Sequence, residues 1–187
     1  MQLITNSFDR HSELKPELLG LIDSFKKEHD TRLPSKYVEH GEDHPLDSVH
    51  SDWHLTDVNL PHVSRPYLDK FFKEIEHLLL NVGNTIHMGR FGEFEWDIHY
   101  AWFQQYYDGG SHWWHTHQEC QFTNIYFLEL PDENYKTEVI GLNGEKIEYQ
   151  AKEGQMITLP SFLMHRSKPN QSERKTIISF NTSYGLL

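Results

Sequence analysis

At 187 residues the chain has room for one domain with a well-filled core and is short for two. Its formal net charge of −11 argues against nucleic acid or an anionic membrane as partner, and 13% aromatic residues with ordinary Pro and Gly argue against disorder. A single cysteine, Cys120, excludes an internal disulfide framework; the apolar runs are too short to span a bilayer; and Met1 to Asn6 lack the pattern of a signal peptide, so a reducing cytoplasm is expected.

Leu18, Leu19, Ile22 and Phe25 recur at helical spacing behind Pro16, which predicts a helix near 16–28. His29 to Leu60 is rich in His, Asp, Ser and Pro and has no period. His40, His44, His50 and His54 lie there with Trp53; their irregular spacing favours a substrate-covering loop over a second metal site. Pro66 to Val82 carries one apolar stripe, Leu68, Phe71, Phe72, Ile75, Leu78 and Leu79, and is expected to be a helix packed on a sheet.

From Ile86 onward the pattern turns to strands. Trp96, Ile98, Tyr100 and Trp102 alternate with Glu95, Asp97, His99 and Ala101, and Asp108-Gly109-Gly110 turns the chain into the next strand. Thr123 to Leu130, Met156 to Leu159 and Thr176 to Phe180 are β-branched and aromatic runs, and Thr137 to Tyr149 reads as a hairpin about Asn143-Gly144. About eight short strands behind two helices predict a mainly β, α+β chain. The expected architecture is a double-stranded β-helix (a cupin-like jelly roll) braced by two or three helices. We expect one domain over 1–187, with a helical and loop part to about residue 83 and the jelly-roll core from about 84.

Residues two apart on a strand share a face, so His115 and His117, with Glu119 next, set imidazoles side by side. Neutral imidazole ligates iron, nickel, copper or zinc. With 14 histidines in the chain one His-x-His says little alone. A second signal lies downstream. Gly154 to His165 reads as turn, apolar strand, tight Pro turn and histidine, and Glu173 to Asn181 as another strand led by a cation. Cys120, close to the histidines, reads as a small buried hydrophobe rather than a ligand.

This order resembles the iron(II)- and 2-oxoglutarate-dependent oxygenases, and more narrowly a short branch common in phages and marine bacteria and related to the prolyl hydroxylases. The resemblance rests on His115-Thr116-His117, Ile125-Tyr126-Phe127-Leu128, Gly154 to His165, Arg174-Lys175-Thr176 and Ser179-Phe180-Asn181. It covers roughly residues 96 to 183. It implies an enzyme that uses Fe(II), 2-oxoglutarate and O₂ to hydroxylate a C–H bond of a small molecule or peptide side chain, in the host cytoplasm if phage-encoded.

In such enzymes three protein ligands hold the iron, and 2-oxoglutarate and O₂ take the remaining positions. The resemblance makes His115 and His165 ligands. Most relatives carry Asp or Glu two residues after the first histidine, where this chain has His117. The set is therefore either His115, His117 and His165, which we favour, or His117, Glu119 and His165. The resemblance assigns Arg174 to the far carboxylate of 2-oxoglutarate, with Thr176 facing the same way. Phe127 stands where relatives often have a tyrosine, and Gln104 or Tyr106 would compensate. Trp113, Trp114 and Phe180 would line the substrate side. A cupin-type metal dioxygenase, isomerase or sugar-binding module fits the same strands but has no use for Arg174-Lys175-Thr176. A metal-free interaction domain would need the histidines to coincide by chance.

Overall fold

A computed structural model of the chain describes residues 3–33, 47–56, 62–86 and 93–187. Two helices and nine strands form the described part: β1 (Ile4–Ser7), α1 (His11–Glu28), β2 (Val49–Ser51), α2 (Pro66–Ile86), β3 (Phe94–Tyr106), β4 (His112–His115), β5 (Phe122–Glu129), β6 (Glu138–Val139), β7 (Gln155–Pro160), β8 (His165–Ser167) and β9 (Lys175–Leu186). Six strands make one sheet in the order β1-β7-β5-β9-β3-β2, and three make a smaller one, β4-β8-β6. All the pairings are antiparallel. This is the expected jelly roll braced by helices. His40 and His44 lie outside the described residues.

α1 starts at His11, so Pro16 sits inside it rather than in its first turn. Leu14 extends the buried stripe of Leu18, Ile22 and Phe25 by one turn, and that burial outweighs the hydrogen bond proline forfeits. α2 buries Tyr67, Leu68, Phe71, Ile75, Leu78, Leu79 and Val82. Near its end a side chain at Gly83 would meet the Phe94 ring at 2.0 Å, so glycine is what lets β3 approach the helix.

Both helices pack on the outer face of the large sheet, against Ala101, Phe103, Tyr126, Leu128, Met156, Ile178 and Phe180. A second core lies between the sheets and contains Tyr106, Ile125, Phe127, Val139, Ile157, Leu159, Leu163 and Ile177. A buried polar cluster pins α2 to β3. Tyr67 donates to Asp52 at 2.6 Å, the Phe103 amide donates to the same carboxylate at 3.0 Å, and Arg65 lies 3.3 Å from it.

The register of β3 on β9 shifts between Ile98 and Tyr100. Before this bulge Phe94 and Trp96 pack toward the helices; after it Ala101 and Phe103 do, and Trp102 and Tyr106 turn inward. The extra residue flips the alternation. The continuous alternation expected from Trp96 through Trp102 is thus broken at His99. The hairpin over 137–149 is reduced to a turn with Gly144 at φ +79° and one bridge, Ile140 to Lys146, because β6 pairs with β8 instead.

Candidate metal centre

His115 and His165 lie opposite each other on β4 and β8. His117 lies beyond the end of β4, where its backbone amide donates to the Ser161 carbonyl at 2.9 Å. That bond ties the loop after β4 to the turn after β7. One ligand atom from each of the three imidazoles lies within 4.8 Å of the others, and among the described residues no other such group of His, Cys, Asp and Glu occurs.

Each ring is oriented through Nδ1. His115 donates to the Trp113 carbonyl at 2.7 Å, His165 to the Leu163 carbonyl at 3.0 Å, and His117 to Asn181 Oδ1 at 2.6 Å. With Nδ1 carrying the proton, each Nε2 keeps a lone pair, the form a metal needs. Burial lowers the pKa of all three; His117 falls to about 4 and His165 well below its ordinary value, helped by the neighbouring imidazoles. Three neutral, preoriented nitrogens fit a divalent first-row metal. A fourth imidazole, His112, stacks on His115 with ring centroids 4.0 Å apart.

Glu119 stands apart from this group. It is exposed, past the end of β4, with φ +61°. The set His117, Glu119 and His165 required β4 to continue through Glu119, and the chain turns away first. Cys120 is half-buried and its thiol pKa is raised by burial. His50 bonds to Thr31 at 3.0 Å, and His54 contributes to no metal-type cluster among the described residues.

Arg174 and Thr176, the expected carboxylate clamp, are both engaged by an acidic side chain of the protein. Arg174 grips Glu129 with two bonds of 2.8 Å and lies 3.8 Å from Asp23. Thr176 donates to the same Glu129 carboxylate. Strand alternation puts both on the helix side, out of phase with the metal centre. The residue between them faces inward: Lys175 is fully buried, donates to the Tyr135 carbonyl at 2.9 Å and to Ser167 Oγ, and sits 4.6 Å from the Tyr106 ring centroid. Burial, with a smaller push from Lys168, lowers its pKa to about 7. Gln104 and Tyr106 do face inward, with Tyr106 donating to Gln104 Oε1 at 2.8 Å.

Two cavities meet at the histidines. The outer one, about 430 Å³, is walled by Trp53, Tyr100, Trp102, Trp113 and Trp114, with Asn181 and Gln118. The inner one, about 20 Å³, has room for one water and is lined by Tyr106, Thr137, Ser167, Ile177 and Ser179. Of the three aromatic residues expected on a substrate side, Trp113 and Trp114 line the outer cavity. Phe180 does not: it packs edge-on against Phe72 and Phe71 in the helix-side core. Two residues of the cavity walls carry a buried polar atom without a partner, Trp102 Nε1 and Thr137 Oγ1.

No family model matches the chain, and no curated protein does. Solved structures do. A Pseudomonas putida prolyl-4-hydroxylase shares 12% identity at a TM-score of 0.61, over 96% of this chain and 91% of that one. A Trichoplax adhaerens prolyl hydroxylase, in complex with a hypoxia inducible factor peptide fragment, shares 11% at 0.64, over 96% and 82%. A viral collagen prolyl hydroxylase from Paramecium Bursaria Chlorella virus-1, in complex with 2-oxoglutarate, shares 14% at 0.54, over 97% and 96%. At such identities the likeness is one of architecture. The chain has the jelly-roll fold of the prolyl hydroxylases and other 2-oxoglutarate and iron(II) oxygenases.

Proposed function

We propose that the chain is an Fe(II)- and 2-oxoglutarate-dependent oxygenase that hydroxylates a C–H bond, with His115, His117 and His165 as the iron ligands. The observation that carries this reading is the convergence of three neutral imidazoles, each with Nδ1 held by an oxygen. Bound iron would supply the coupling of O₂ reduction to decarboxylation of 2-oxoglutarate and oxidation of substrate, one oxygen atom going to each product.

The protein's own part is positioning. Lys175, rather than Arg174 and Thr176, holds the far carboxylate of the cosubstrate, and the unpartnered Thr137 hydroxyl adds a donor at the same end. Gln104 and Tyr106 form the wall beside it. The inner cavity is one water in size, so their hydrogen-bonded side chains must shift for a dicarboxylate to enter. Trp113 and Trp114 exclude water on the substrate side. A buried cation at the inner end favours this reading over a cupin that uses no dicarboxylate.

The test is anaerobic addition of Fe(II) and 2-oxoglutarate to the purified chain. A weak visible charge-transfer band, lost on Lys175→Ala and on His165→Ala, is the expected result. Iron binding without the band would move the chain to the cupin-type reading.

A further inference from the structure

β4 and β8 set His115 opposite His165 and His112 opposite Ser167. His165 and Ser167 are two residues apart, whereas His112 and His115 are three apart, so Trp113 and Trp114 together oppose Arg166 alone. A regular strand would send His112 to the face opposite His115. The bulge returns it to the same side, as bulges beside sites do when they re-aim a side chain. The result is the stack of His112 on His115, with centroids 4.0 Å apart and ring planes 24° apart.

His112 stands where the two cavities meet and lines both. Two observations set it apart from the ligands. Its nitrogens fall outside the group whose ligand atoms converge within 4.8 Å. Its tautomer is also reversed. Tyr106 donates to Gln104 Oε1 at 2.8 Å, which leaves the Gln104 amide nitrogen to donate to His112 Nδ1 at 3.4 Å. A neutral ring at 112 thus carries its proton on Nε2, where His115, His117 and His165 keep a lone pair. His112 therefore meets the site with its face.

What that face does follows from how the ligands are held. The bond from His115 Nδ1 to the Trp113 carbonyl fixes one edge of the ring. A planar neighbour restrains the tilt of the whole ring, and with it the direction of the Nε2 lone pair. His117 has the matching arrangement, with Nδ1 on Asn181 and Trp102 stacked at 5.6 Å. Resting on the reading of His115, His117 and His165 as the metal centre, we propose that His112 is a positioning residue for His115. Its ring face, delivered by the β4 bulge and held by Gln104, aims the His115 Nε2 lone pair, while its own nitrogens do not bind the metal.

Co(II) titration of the full chain, without 2-oxoglutarate, tests this separately from the charge-transfer experiment. Visible d–d bands read the affinity, and paramagnetic shifts count the ring N–H protons of the ligating histidines. The wild-type protein should show three such protons. His112→Ala should keep all three and weaken Co(II) binding about two- to tenfold, the range of one ring–ring contact. His112→Phe keeps a planar face without nitrogens and should restore the wild-type affinity. His112→Leu, bulky but not planar, should match His112→Ala and replaces it if that protein does not fold. Unchanged affinity in His112→Ala, equal weakening in His112→Phe, or a fourth shifted proton that disappears with His112 overturns the proposal and leaves the metal centre standing. A wild-type chain that takes up no Co(II) overturns the metal centre, and the proposal with it.

Discussion

Lys175 and Tyr106 face each other across β9 and β3, with the ammonium 4.6 Å from the ring centroid on the inner side of the sheet. Their neighbours Arg174 and Thr176 are spent on Glu129 on the other side. This separates two cations that sequence alone cannot tell apart. Lys175→Ala is expected to raise the Kd for 2-oxoglutarate by more than about tenfold, the loss of one charge-assisted bond, while iron stoichiometry is kept. Arg174→Ala should leave that Kd essentially unchanged and lower stability by about 1–2 kcal/mol. Calorimetry under nitrogen and urea unfolding check both; the opposite ranking would return the clamp to Arg174.

The same lysine makes a pH prediction. Burial holds it at about 7 against an ordinary 10.5, so its charge is lost as pH rises through 7. Affinity for 2-oxoglutarate should then fall with rising pH, by up to about tenfold per unit. Lys175→Arg, permanently charged, should flatten the profile. Stability moves the other way. Between about 7 and 10.5 the unfolded chain binds the extra proton, so this residue's contribution to stability rises with pH across that window.

For the metal, His165→Ala is expected to weaken iron binding by more than about 100-fold, beyond what loss of an outer partner costs. Glu119→Gln should change it by no more than a few-fold. Iron content after dialysis reads both, and an emptied site in Glu119→Gln would install the carboxylate set instead. Protons compete weakly: with His117 at about 4, iron should be retained until the pH falls toward that value. The sign for stability follows, because between 6.5 and about 4 the unfolded His117 binds more protons, and its contribution falls as the medium becomes acidic.

Asp52→Ala is expected to cost about 3–5 kcal/mol, because it leaves Arg65, the Tyr67 hydroxyl and the Phe103 amide facing a hole in a buried cluster. Chemical denaturation measures it. A loss below about 1 kcal/mol would mean that the cluster does not pin α2 to the sheet.

What was legible in the sequence was periodic or redundant. The stripe from Leu68 to Leu79 predicts α2 because every turn repeats the signal. The histidines were found because His-x-His and a distant Pro-turn histidine agree. The phase of β9 was not found, since Arg174-Lys175-Thr176 by itself does not say which residue faces inward. A signal existed: Ser179 and Asn181 alternate with the apolar Ile178 and Phe180 and mark the cavity face, and counting back by twos reaches Lys175. β1 went unread because Ile4-Thr5-Asn6-Ser7 is a short, polar edge strand whose pairing with β7 is entirely long-range. Phe180 was expected on the substrate side, though its alternation with Ser179 and Asn181 sends it to the helices.

The bulge at His99 makes β3 a strand written in two frames. Substitutions on either side of it are local events. Loss of the extra residue would leave one unbroken alternation, with Phe94 and Trp96 still toward the helices and Trp102 and Tyr106 still inward. Loss of a residue beyond the bulge is different: between Trp102 and Gln104 it would carry Gln104 and Tyr106 to the helices. One lost codon there would erase the inner wall, although every residue named in the metal centre remained. Variation among descendants of this chain should accordingly accumulate as replacements along β3, with the spacing from Tyr100 to Tyr106 held fixed.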